Sequence, residues 1–140
     1  MTKDADTAAD GVSVTDSSRC PCSSGEVFGH CCAPLLGGAP APTAERLMRS
    51  RYTAFCLADE EYLLRTWHPT TRPRAVESDP DLRWRRLIVL DRSAGGPFDR
   101  EGVVEFEAFW CQGAERGSLR ERSRFVREER QWLYVDGDVS

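Results

Sequence analysis

Ala44, Leu47, Met48, Tyr52 and Phe55 recur at steps of three and four, the spacing of a single helix face. Glu45, Arg46, Arg49 and Ser50 fall largely elsewhere, so the pattern predicts a core-facing helix over residues 43–58. Thr43 suits its N-cap, and Glu45 lies in the first turn, where a negative charge favours the helix dipole. Asp59 can cap a second helix, with Tyr62, Leu63, Leu64 and Trp67 supplying its apolar surface. Pro69 disfavours helical backbone at His68 and ends it. Residues 69–80, with prolines at 69, 73 and 80, read as a connecting loop.

Beyond this loop the period falls to two. Residues 84–90 are rich in branched and aromatic side chains, and residues 91–101 hold turn formers including Gly95, Gly96 and Pro97, which predicts a hairpin. Over residues 102–111, Val104, Phe106, Ala108 and Trp110 share the face expected to be buried, opposite Val103, Glu105, Glu107, Phe109 and Cys111. Over residues 119–128, Arg120, Arg122 and Arg124 share the face expected to be exposed, opposite Leu119, Glu121, Ser123 and Phe125. A short last strand places Trp132 and Tyr134 together and ends at Asp136-Gly137. Helices followed by strands define an α+β domain over residues 43–137. Residues 1–18 are small and polar without periodicity and are expected to be disordered, while Pro34, Gly37, Gly38, Pro40 and Pro42 predict a linker or turn.

Composition sharpens this picture. A chain of 140 residues is the size of one domain and can bury a core without disulfides. Its 19 basic and 23 acidic residues give a net charge of -4, which speaks against nucleic-acid binding through the overall field. Acidic neighbours at Glu121, Glu128 and Glu129 dilute the one arginine-rich stretch, Arg120, Arg122, Arg124 and Arg127. No apolar run approaches the roughly 18–20 residues of a membrane span, and the start of the chain lacks a signal-peptide pattern. The expected compartment is the cytoplasm, where clustered cysteines serve as metal ligands more readily than as disulfides.

Cys20, Cys22, Cys31 and Cys32 form the pattern C-x-C-x8-C-C. Four soft thiolates in one hairpin suit tetrahedral zinc, with iron as the alternative. Four protein ligands leave no open position for a substrate, so the site is expected to be structural, an appendage over residues 19–36 ahead of the larger domain. Gly25 permits the chain reversal, and Arg19, His30 and backbone amides are the expected donors to sulfur. Cys56 and Cys111 fit ordinary small packing positions.

The stretch CPCSSGEVFGHCC resembles the SEC-C motif, the zinc-binding knuckle at the C-terminal tail of the SecA translocation ATPase. Cys31-Cys32 stands where that tail usually has Cys-His, and Ser23 stands at a usual glycine. Downstream, LMRSRYTAF from Leu47, YLLRTWHPTTRP from Tyr62, GVVEFEAFW from Gly102 and LRERSRFVREERQWLYVDG from Leu119 together resemble the YchJ-like family. That resemblance implies a SEC-C knuckle followed by a cone-like domain similar to nuclear transport factor 2, with N-terminal helices packed into the hollow of a curved antiparallel sheet. It implies no reaction. By analogy with the SecA knuckle it suggests a protein or ribosome-associated partner.

Two functions follow. In the first, a metal-stabilised binding or adaptor module presents the knuckle to a protein or ribonucleoprotein partner. In the second, an enzyme or small-molecule binder uses the hollow, with Arg49, Tyr52, Trp67, His68, Trp84 and Glu105 as candidates and His68 with Glu105 as an acid/base pair. No catalytic residue is assigned. The hollow is expected to be largely filled by Met48, Tyr52, Phe55, Trp67, Phe106 and Trp110.

Overall fold

The computed structural model describes residues 14–140. Its elements are α1 (Ala33–Leu36), α2 (Ala44–Leu57), α3 (Glu60–Arg65), β1 (Leu82–Ala94), β2 (Glu101–Gln112), β3 (Glu115–Glu128) and β4 (Gln131–Val139), preceded by one 3-10 turn at Phe28–His30. The strands form one antiparallel meander in the order β1-β2-β3-β4. Register shifts at Trp84/Arg86, Val89/Asp91 and Arg124/Phe125 insert bulges that bend the sheet around the helices. The architecture is the expected α+β arrangement of short helices on a curved antiparallel sheet.

Both helix starts follow from their caps. The Thr43 side chain accepts the Arg46 N–H, and the Asp59 side chain accepts that of Tyr62. α2 is buried on more than the predicted face. Ala44, Leu47, Met48 and Tyr52 are in the core as expected, but Ser50, Arg51, Thr53, Ala54 and Cys56 are buried as well. Phe55, expected inside, is 39 % exposed. The cause is tertiary: the cysteine knuckle covers Thr53, α3 covers Ser50 and Ala54, and Trp67 with Tyr134 covers Arg51. Ser50 is accommodated because its hydroxyl donates to the Leu47 carbonyl at 2.8 Å and shares a 2.6 Å hydrogen bond with the Tyr62 phenol.

The faces of β2 are as predicted, with Val104 and Ala108 buried beneath α2. Trp110 does not reach into the hollow expected for it; its ring lies against Gly117 on β3, where a Cβ would meet it at 2.5 Å. β1 continues through Asp91 to Ala94, so the turn is confined to residues 95–100. Gly95 has φ +82°, and a Cβ there would lie 2.9 Å from that of Ala44, so only glycine lets this hairpin dock on the start of α2. Asp136-Gly137 does not end β4. The strand runs on because its Asp136 and Asp138 carboxylates bind Arg124 on β3.

Of the tail expected to be disordered, residues 1–13 lie outside the described residues. Its last residues are paired with the knuckle: the Gly29 N–H donates to the Asp16 carbonyl at 2.9 Å and the Phe28 N–H to that of Ser18 at 2.7 Å. The expected linker contains α1, which tolerates Pro34 in its first turn because no helical partner for that N–H is required. No described helix is long and apolar enough to cross a membrane.

Candidate functional site

The four cysteine ligand atoms lie within 4.8 Å of one another, and all four residues are buried. Gly25, at φ +93°, turns the chain between the two pairs as the spacing required. Ser23 is also left-handed, at φ 67°, in the place of a usual glycine. Its hydroxyl accepts the Leu87 N–H of β1 at 3.1 Å, which ties the knuckle to the sheet. The knuckle is therefore packed into the molecule: the cysteines share one hydrophobic cluster with Leu47, Met48, Leu87 and Val104.

The donors around sulfur differ from those expected. Arg19 binds the Gly25 carbonyl, and His30 is exposed. Thr53 instead donates to Cys32 Sγ at 3.3 Å, and the Ser24 hydroxyl lies 3.2 Å from Cys31 Sγ. Arg49 and Arg46 hold the knuckle backbone through the carbonyls of Cys22 at 2.8 Å and Cys31 at 3.1 Å. Hydrogen bonds from Cys22 and Cys32 hold the Cys20 thiol far below the ordinary thiol range, whereas its hydrogen bonds to Cys20 and Cys22, together with burial, push Cys32 up. Four sulfurs this close form a donor set in which a cation displaces protons to gain four thiolates. These residues fit a metal ion.

A second feature lies on the opposite side of α2. A cavity of about 270 Å3 opens between α2 and the sheet where a filled hollow was expected. Met48, Tyr52 and Phe55 wall it from the helix, and Trp84, Phe106 and Ala108 from the sheet. The aromatic rings meet edge to face, Trp84 with Tyr52 at 6.4 Å and with Phe55 at 6.5 Å, so they prop the cavity open rather than collapse into it. Three of the six candidates, Tyr52, Trp67 and Trp84, line it.

The other three stand elsewhere. Arg49 serves the knuckle and pairs with Glu45 at 3.0 Å. Glu105 is on the outer face of the sheet, bound to Arg120 at 2.9 Å and Arg122 at 3.3 Å. His68 meets Glu128 at 3.0 Å and the Thr70 hydroxyl at 2.7 Å, so the expected pair with Glu105 does not form. Backbone hydrogen bonds from Tyr134 to Thr66 at 2.9 Å and from His68 to Tyr134 at 2.7 Å lay residues 66–68 along β4, which sets Trp67 against Tyr134.

Periodicity did not single out the charged groups of the cavity. Arg51, which lines it, is 6 % exposed. Its guanidinium stacks 5.0 Å from the Trp67 ring centre and 4.6 Å from that of Tyr134. Nη1 donates to the Leu63 carbonyl at 2.8 Å and the Thr66 hydroxyl at 2.7 Å. Burial pulls its pKa down to about 10, yet it stays charged at neutral pH. Glu121 stands across Tyr134, whose phenol donates to Oε2 at 2.9 Å while the Ser123 hydroxyl donates to the same oxygen at 2.7 Å. Burial and the nearby Glu121 carboxylate push the Tyr134 phenol up, keeping it protonated as that donor. Tyr52 Oη and Trp67 Nε1 are buried without a nitrogen or oxygen partner, the Tyr52 phenol having the Cys56 thiol beside it.

A buried four-cysteine knuckle ahead of helices on a curved sheet defines a SEC-C-type protein with a nuclear transport factor 2-like domain. The model of that middle domain of YchJ matches residues 43–137, and the chain belongs to the YchJ-like UPF0225 family. It is 50 % identical over 120 residues to a UPF0225 protein of Streptomyces coelicolor, covering 85 % of this chain and 94 % of the relative. A UPF0225 protein of Chromobacterium violaceum is 48 % identical over 128 residues, covering 88 % and 94 %. The solution structure of a SEC-C motif containing protein from Rhodopseudomonas palustris matches with a TM-score of 0.74 at 33 % identity, covering 85 % of this chain and 96 % of that one. A crystal structure of a SEC-C motif containing protein from Psychrobacter arcticus matches at 0.70 with 27 % identity, covering 89 % and 85 %.

Proposed function

We propose that this is a zinc-stabilised small-molecule-binding protein of the cytoplasm, with zinc in the four-cysteine knuckle and the ligand in the hollow between α2 and the sheet. The observation that carries the reading is the 270 Å3 cavity with aromatic walls and the buried Arg51 guanidinium in its lining. A domain held by packing alone closes such a space, because unfilled apolar volume forfeits dispersion contacts. Four soft ligands suit zinc or iron, and zinc is favoured by the likeness of the knuckle to the SEC-C motif.

The experiment is a thermal-shift screen of small aromatic metabolites on the metal-loaded protein, together with metal analysis after anaerobic purification. One zinc per chain and a metabolite that raises the midpoint by several degrees support the reading. Predominant iron removes the zinc assignment, and a screen without any shift removes the ligand site. A partner captured by the wild type and lost in a Cys31→Ser, Cys32→Ser variant that still folds would favour the adaptor role suggested by SEC-C similarity.

A further inference from the structure

The chemistry of the cavity wall narrows the ligand, an inference that rests on the binding reading above. Arg51 takes part in none of the ion pairs of the described residues. Its protein hydrogen bonds all leave from Nη1, so Nε and Nη2 have none among the described residues. Glu121 is the complement: Oε2 accepts both of its hydrogen bonds, and Oε1 accepts none among the described residues. Tyr134 spans the two groups, with its ring under the guanidinium and its phenol on the carboxylate. Spare donors and a spare acceptor thus border one aromatic-walled space.

We propose that the hollow takes a small, flat, uncharged ring system whose edge carries a hydrogen-bond acceptor for Arg51 and a donor for Glu121. The charges of the two groups offset each other across Tyr134. An anionic ligand would gain from Arg51 but be repelled by Glu121, and a cationic one would meet the reverse, while a neutral edge with donor beside acceptor serves both. The walls of Trp67, Trp84 and Phe106 suit a planar ring. At 270 Å3 the cavity falls below the ~300–1,000 Å3 of drug-sized sites, which matches one ring or two fused rings.

Three probes of similar size test this on the full, metal-loaded chain, read by quenching of tryptophan fluorescence and confirmed by thermal shift. Naphthalene offers no polar edge, 2-naphthoate an anion, and 2-quinolinone a neutral N–H beside a carbonyl. The expected result is that 2-quinolinone binds at least about tenfold more tightly than either of the others. In Glu121→Gln, which keeps the shape and removes the charge, the preference should move toward 2-naphthoate by about tenfold. That readout does not require an Arg51 variant to fold. Naphthalene binding as tightly as 2-quinolinone, or 2-naphthoate ranking first in the wild type, overturns the ligand class while leaving the cavity a binding site. No binding of any probe below about 1 mM overturns the binding reading itself.

Discussion

Helix α2 has two unlike sides. Toward the knuckle its polar groups are satisfied: Thr53 donates to Cys32 Sγ, Arg49 to the Cys22 carbonyl and Arg46 to the Cys31 carbonyl. Toward the sheet the same helix borders a cavity, with Arg51 outside any ion pair of the described residues and its Nε and Nη2 without a hydrogen bond among them. One side is closed by its own hydrogen bonds and the other is left with capacity to spare. Unused donors at the wall of a cavity, Arg51 Nε and Nη2 among them, are where a ligand would complete the structure.

The largest break in this comparison should come from the closed side. Structural zinc in small domains contributes roughly 10–16 kcal/mol of binding free energy. Because the cysteines share a cluster with Leu47 and Met48 of α2, chelation or Cys22→Ser should lower the thermal midpoint by more than about 10 °C and remove helical ellipticity with it. A knuckle that unfolded alone, leaving the circular dichroism of α2 intact, would show the two parts to be independent.

Thr53→Val tests a single hydroxyl on that side. Thr53 is fully buried, and its loss leaves Cys32 Sγ without its donor. Metal affinity in competition with a chelator should fall by about tenfold, with about 1–2 kcal/mol of stability lost. Unchanged affinity would mean that Thr53 only packs.

On the open side, Ala108→Leu adds volume where the cavity is vacant rather than where atoms already touch. Stability in a denaturant titration should change by less than about 1 kcal/mol, against the ~1–3 kcal/mol typical of overpacking a filled core. The same variant should lose binding of any ligand that enters the hollow. A strongly destabilised Ala108→Leu would mean that the hollow closes in solution.

The smallest effect should be at the residue next to Thr53. Tyr52→Phe removes a buried hydroxyl that has no nitrogen or oxygen partner and lies beside the Cys56 thiol, and should be neutral within about 0.5 kcal/mol. Two neighbouring hydroxyl deletions with unequal outcomes would show that the hydroxyl donating to a cysteine sulfur contributes and the one without a nitrogen or oxygen partner does not. Equal losses would erase the distinction.

Much of this was determined by the sequence alone. The cysteine spacing, the Thr43 and Asp59 caps and the alternation through residues 102–111 are local signals, set by the 3.6 and 2.0 residue periods and by the few donors a cap requires. They foretold the gathering of the four cysteines, both helix starts and the inward face of β2. The tertiary structure alone decided what α2 faces, because Thr53 is buried by a knuckle folded back from more than twenty residues upstream, Ser50 by Tyr62 of α3, and Arg51 by Trp67 and by Tyr134 of β4. It also decided the cavity. Volume between two elements depends on how their rings prop against each other, and bulges in β1 and β4 that no periodicity announces set the bend of the sheet. Nothing in the helical period therefore marked Arg51, and His68 and Glu105 were expected as an acid/base pair. Pairings across a sheet are fixed by register and face, which put Glu105 against Arg120 and His68 against Glu128.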